Sequence, residues 1–202
     1  MNLELTGKRA LVTGGSRGIG RAIVLALARG GVSVAACYHR ESDAVTALGA
    51  ELEATGNGSF VIQADVADES DVARLVGEVR ERFGQIDVLV NNAGVVSHTT
   101  LPDLELAEWR RVIDTNLTSI YLVTRGVLDA LSEGGSVINI TSAVAMKGMV
   151  ARTHYTASKA GIIGFTRSLA KEVGLRRCVV RSRDHPFHRH RRSDVDHGAA
   201  IG

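Results

Sequence analysis

The chain has 202 residues, room for one domain with a sizeable core. It is 45% hydrophobic but only 4% aromatic, so Ala, Gly and Val must fill most of that core, as in folds where helices lie close on a sheet. The net charge of +2 hides an asymmetry: Met1–Leu175 carries 17 Lys+Arg against 19 Asp+Glu, whereas Arg176–Gly202 carries seven Arg against three Asp.

The mildly acidic body offers no basic face for nucleic acid. No apolar run approaches the roughly 18 residues a membrane helix needs. The opening "MNLELTGKRALVTGG" lacks the basic head and apolar stretch of a secretory leader. Cys37 and Cys178 match no metal or redox spacing, so no metal is expected and a reducing cytoplasm is the expected compartment.

In chain order, "RALVTGG" (Arg9–Gly15) predicts a buried strand ending in glycines, and "GRAIVLALARGG" an amphipathic helix stopped at Gly30-Gly31. Val32–Tyr38 predicts strand two. The polar helix "SDAVTALGAELEATG" follows, then a turn at Gly56-Asn57-Gly58 and strand three in "SFVIQADV". Asp68 is placed to cap the helix "ESDVARLVGEVRERFG", and "IDVLVNNAG" predicts strand four. One long helical stretch is expected from Pro102 to Leu131, a fifth strand in "GGSVINITS", and a helix in "YTASKAGIIGFTRSLAKEVG". Strands alternating with helices predict an α/β, doubly wound parallel sheet, Rossmann-like, with strand order 3-2-1-4-5. The carboxyl ends of its strands then share one edge, where ligands bind in such folds.

Every unusual motif falls at that edge. In "TGGSRGIG", Gly14 permits a tight turn, Gly18 lets backbone approach a pyrophosphate, and Gly20 permits close helix packing. Ser16, Arg17 and Ile19 complete this loop. A plain structural turn is the simpler reading of any one glycine cluster, but its strand–turn–helix setting favours a dinucleotide. Strand two ends in Tyr38-His39-Arg40, with no acid before Glu41. Together with Arg17, these cations favour the 2′-phosphate of NADP(H) over NAD, against the alternative of solvated surface arginines. Asp65 and Val66 end strand three, where Asp65 is placed to accept from an adenine amino group. "NNAG" (Asn91–Gly94) ends strand four, with Asn92, Ala93 and Gly94 toward the cofactor and Asn91 placed to tie strand ends together.

Tyr155 and Lys159 lie four apart in "YTASK", hence on one helix face. An ammonium beside a phenol favours phenolate. Ser142, at the end of strand five, is placed to hold a carbonyl oxygen while Tyr155 supplies the proton. Asn116 interrupts a helical stretch, a local misfit typical of functional sites. A surface contact would explain the Tyr/Lys pair alone. His98 and His154 lie near the site, facing substrate or merely adjacent.

Taken together and in this order, TGGSRGIG, NNAG, Asn116, Ser142 and Tyr155-x-x-x-Lys159 resemble the short-chain dehydrogenase/reductase family over about Leu5–Gly174. Within it, the chain looks most like 3-oxoacyl-acyl-carrier-protein reductases and polyketide ketoreductases. The resemblance implies reduction of a small-molecule or carrier-bound carbonyl by hydride from NADPH. Tyr155 would be the general acid. Lys159 would lower its pKa and bind the nicotinamide ribose, Ser142 would orient the carbonyl, and Asn116 would hold a relay water. Tyr155 and Lys159 thus also count among the cofactor contacts. The open alternatives are an NAD-dependent alcohol dehydrogenase and an inactive nucleotide-binding remnant.

The resemblance covers a dinucleotide-binding catalytic domain at 1–175 and leaves 176–202 as an aberrant basic tail. Family members continue with a sixth strand, an "APG"-type turn, a substrate-covering helix pair and a seventh strand, and commonly form homotetramers through the last elements. The fold is therefore expected to be C-terminally incomplete, with that interface missing, strand five an exposed edge and the tail disordered. Reading Arg181–His185 one base forward from CGN arginine codons permits Ala, Pro, Gly and Thr or Ile, so the ending is expected to be a frameshift product. "HPFHRHRR" has no metal-ligand spacing and no aromatic interleaving for nucleic acid.

Overall fold

The structure, a computed structural model, describes residues 5–173 and the backbone of 179–185. Six parallel strands form one sheet in the order β3-β2-β1-β4-β5-β6. They are β1 (Arg9–Val12), β2 (Ser33–Tyr38), β3 (Phe60–Gln63), β4 (Ile86–Asn91), β5 (Leu131–Ser142) and β6 (Val179–His185). The first five have the order their sequence implied.

β6 is a correction. It pairs with β5 from Ser136↔Val179 to Ser142↔His185, so the edge of β5 is covered rather than exposed. Val179-Val180 suits a strand, and a parallel partner satisfies the backbone whatever side chains follow. Of the expected disordered tail, 179–185 is therefore a strand; Arg176–Cys178 and Pro186–Gly202 lie outside the described residues.

Alternating side chains of β1 to β5 supply two cores. Ala10 and Val12 of β1 pack with Val24 and Leu25 of α1 (Gly18–Arg29) and with Leu48 and Leu52 of α2 (Asp43–Glu53). Leu11, between them, joins the opposite core with Leu75 and Val79 of α3 (Glu69–Phe83). The same core takes Leu89 of β4, and it is fully buried at Leu11, Leu75, Val79 and Leu89. Burial of each such leucine contributes about 1.5–3 kcal/mol. Asp68 caps α3 as its position implied, its carboxylate accepting from the Asp71 amide at 2.9 Å.

The expected single helix between residues 102 and 131 is broken. α4 (Leu106–Ile113) passes through a π-helical turn at Asp114–Thr118 into α5 (Ser119–Val127). The widened turn contains Asn116, and such π-turns recur at functional sites. A helical turn, α6 (Val144–Lys147), precedes α7 (Thr153–Glu172), which carries Tyr155 and Lys159. Leu169 and Val173 bring α7 onto the α3/α5 face. Among the described residues no helix is long and apolar enough to cross a membrane. No group of three His, Cys, Asp or Glu is placed to hold a metal ion among them either.

Candidate active site

The glycine loop joins β1 to α1 against the end of β4. Thr13 organises the joint: its Oγ1 accepts from the amides of Asn92 (3.0 Å) and Ala93 (3.1 Å). The Asn92 side chain returns two donors to the Thr13 and Gly14 carbonyls, both at 3.0 Å. Gly20 is packed on this knot, since a Cβ there would run into the Gly14 carbonyl oxygen and the Asn92 amide. Its closest neighbour is thus the loop, not the strand. Gly18 is different. Its φ is +54° and the space where a Cβ would point is open, leaving backbone accessible at the first turn of α1. That turn holds no acidic residue, and its free amides and helix dipole suit an anion. Ser16 and Ile19 are partly buried, and Arg17 is exposed at the N-cap.

β2 ends beside this loop, with the Gly15 amide donating to the Cys37 carbonyl at 2.8 Å. His39 and Arg40 are exposed just beyond it. Asp65 sits opposite: its Oδ1 accepts from the Ala67 amide at 2.9 Å, and its Oδ2 lies 3.6 Å from His39 Nε2. Val66 is buried in the core, so only its backbone can face a ligand. The glycine loop, the cationic turn and the ends of β3 and β4 thus form a continuous cradle whose open backbone at Gly18 fits a dinucleotide.

The other half of the site is built from buried side chains. Asn91 Nδ2 donates to Thr124 Oγ1 (3.0 Å) and Asn139 Oδ1 (2.8 Å), and Asn139 Nδ2 donates to Thr166 Oγ1 (2.9 Å). This chain of amides and hydroxyls crosses β4, β5, α5 and α7 beneath the site. Asn91 therefore ties strand ends together. Asn139, Thr124 and Thr166 carried no signal in sequence, being ordinary polar residues until the sheet juxtaposes them.

Asn116 is fully buried. Its Oδ1 accepts from the Val95 amide at 2.7 Å, while Nδ2 donates to the Val95 carbonyl (3.0 Å) and Ser158 Oγ (3.1 Å). It clamps the loop after β4 to α7. With both donors engaged, any relay water would use the remaining lone pair of Oδ1.

Ser142, Tyr155 and Lys159 meet at the end of β5. The Ser142 hydroxyl is within hydrogen-bonding reach of the Tyr155 phenol. Lys159 Nζ lies 5.8 Å from the Tyr155 ring centroid and donates to the Ile140 carbonyl at 3.0 Å. Burial pushes the phenol above its ordinary value, and Ser142 and Arg152 pull it partway down. Burial brings Lys159 down to about 8. Where Lys159 was expected to set the phenol below its ordinary range, the phenol stands above it, with loss of solvation the largest cause.

The loop after β4 is stapled to the start of α7. Ser97 Oγ and His154 Nε2 are 2.6 Å apart, Arg152 approaches His98 Nε2 at 2.6 Å, and the Thr99 amide donates to the Ala151 carbonyl at 2.9 Å. His154 is fully buried, so it faces the protein rather than an open substrate cleft. His98 is exposed and held by Arg152.

The family model for short chain dehydrogenases matches residues 8–182. The chain belongs to that family. Curated relatives include the 3-oxoacyl-[acyl-carrier-protein] reductases of Synechocystis sp. and Escherichia coli. The first is 44% identical over 87% of this chain and 72% of its own length; the second is 40% identical over 89% and 72%. Among solved structures, a short chain dehydrogenase from Burkholderia cenocepacia in complex with NADP superposes with a TM-score of 0.85. It is 40% identical and covers 89% of this chain and 74% of its own. A blue fluorescent protein from a metagenomic library, in complex with NADPH, gives the same TM-score at 38% identity over the same shares. The chain is an oxidoreductase of this family, and the curated relatives it matches are 3-oxoacyl-[acyl-carrier-protein] reductases.

Proposed function

We propose that this chain is an NADP(H)-dependent carbonyl reductase for 3-oxoacyl or related ketones, small or carrier-bound. The observation that carries this reading is the buried Tyr155 phenol beside Ser142, with Lys159 one turn along the same helix. The phenol is protonated at neutral pH and stands beside the Ser142 hydroxyl, which places its proton where a carbonyl oxygen held by Ser142 would receive it. The Ser142 hydroxyl donates to the ketone oxygen and holds it toward that phenol. A nicotinamide held in the cradle would supply hydride to the carbonyl carbon, and the Tyr155 phenol would give its proton to the oxygen, leaving an alcohol and a phenolate. Lys159 retains donors beyond the one given to Ile140, which suit the nicotinamide ribose hydroxyls.

Three residues support NADP(H): Arg17 at the α1 N-cap, and His39 and Arg40 at the end of β2, all exposed beside the glycine loop. The NADP and NADPH complexes among the solved neighbours agree with that choice. Dissociation constants for NADPH and NADH at fixed salt test it, with NADPH expected to bind more tightly and equal values refuting it. The acid role is tested by reduction of a simple β-keto ester with Tyr155→Phe. Turnover is expected to fall about a hundredfold or more with NADPH affinity within about twofold. A loss under about tenfold would remove Tyr155 from its role.

A further inference from the structure

We propose that Tyr38 sets the cofactor preference by sequestering Glu41, the carboxylate otherwise placed to read a free ribose 2′-hydroxyl. The inference rests on the NADP(H) reading above. Dinucleotide folds that prefer NAD carry an acid about 20 residues beyond the glycine motif, at the end of the second strand. Glu41 stands in that region, three residues past the end of β2. By spacing alone it is a candidate NAD-type reader in a turn otherwise cationic.

In the structure its carboxylate is taken. The Tyr38 hydroxyl donates to Glu41 Oε1. Tyr38 is a firm anchor: its side chain is buried, and its carbonyl accepts from the Ala64 amide at 2.8 Å. The turn is held from the other side by Gln63 Nε2, which donates to the His39 carbonyl at 3.1 Å. The hydrogen bond to Glu41, then burial, pushes the phenol up to about 12, so it remains a donor across any working pH. His39, Arg40 and Glu41 are all exposed, and one oxygen of the Glu41 carboxylate is held at the strand end by the Tyr38 hydroxyl.

The test is the ratio of NADPH to NADH dissociation constants at fixed salt for the 202-residue chain, Tyr38→Phe, and Tyr38→Phe with Glu41→Gln. Tyr38→Phe frees the carboxylate and is expected to move the ratio about tenfold toward NADH, the scale of one hydrogen bond to a charged group. Adding Glu41→Gln is expected to return it to within about twofold of the parent. A ratio unchanged in Tyr38→Phe, or a shift that survives Glu41→Gln, overturns the proposal while leaving the cofactor reading intact. A parent chain that binds NADH as tightly as NADPH overturns both. Should Tyr38→Phe fail to fold, Glu41→Gln alone is expected to leave the ratio within about twofold of the parent; a larger shift toward NADPH there overturns the proposal equally.

Discussion

The two halves of the site are built on opposite principles. Around α1 the ligand surface is backbone: Gly18 leaves it open, Gly14 and Gly20 allow the close packing behind it, and one threonine and one asparagine hold the loop together. Around α7 the surface is side chain. Asn116, Ser142, Tyr155 and Lys159 are buried, and buried hydrogen bonds also join Asn91, Asn139 and Thr166. The first half presents backbone held by close packing; the second presents side chains whose protonation burial has shifted. Damage to the first should therefore be steric, and damage to the second electrostatic.

The largest effect should come from filling the backbone half. Gly20→Ala places a methyl against the Gly14 carbonyl and the Asn92 amide, both rigid within the knot. NADPH affinity is expected to fall more than tenfold, and stability by about 1–3 kcal/mol as in other overpacked cores. Titration of NADPH and a denaturant melt check it. Unchanged values for both would mean that the loop yields freely and the contrast is false.

A smaller effect should mark the buried half. The folded chain lowers Lys159 from 10.5 to about 8, so between these values the unfolded chain binds more protons than the folded one. Stability contributed by this group therefore rises with pH across that window, by up to about 3 kcal/mol. Below about 8 the burial penalty is present in full. Lys159→Met removes both the penalty and the slope, so at neutral pH it is expected to melt higher than the parent, and the gap should narrow toward pH 10. Parallel melting curves at all pH values would show that Lys159 is not desolvated.

The smallest effect should lie outside both halves. Asp68→Ala removes only the cap of α3, at an expected cost of about 1 kcal/mol with the NADPH constant unchanged. A change in cofactor affinity would mean that loss of the cap is passed on through Asp65, whose amide donates to the Asp71 carboxylate at 2.8 Å.

Much of this molecule was legible in its residues because its signals are local. A strand ending in TGGSRGIG, a Tyr and a Lys four apart, an Asp before an apolar-periodic run: each is one element read from its own spacing. The order of the first five strands follows from alternating strands and helices for the same reason. Other features needed distant segments brought together. Glu41 carries the same letter whether it faces a ribose or is held by Tyr38, and only the fold of the turn decides. Asn139 and Thr166 become a network only across a sheet and a helix. The Tyr155 phenol sits high rather than low because burial depends on everything packed above it, not on a lysine four residues away. β6 escaped notice because periodicity reports which face of a strand is buried. Beyond Val179-Val180 its residues carry no strand pattern, because parallel pairing beside β5 asks only for backbone.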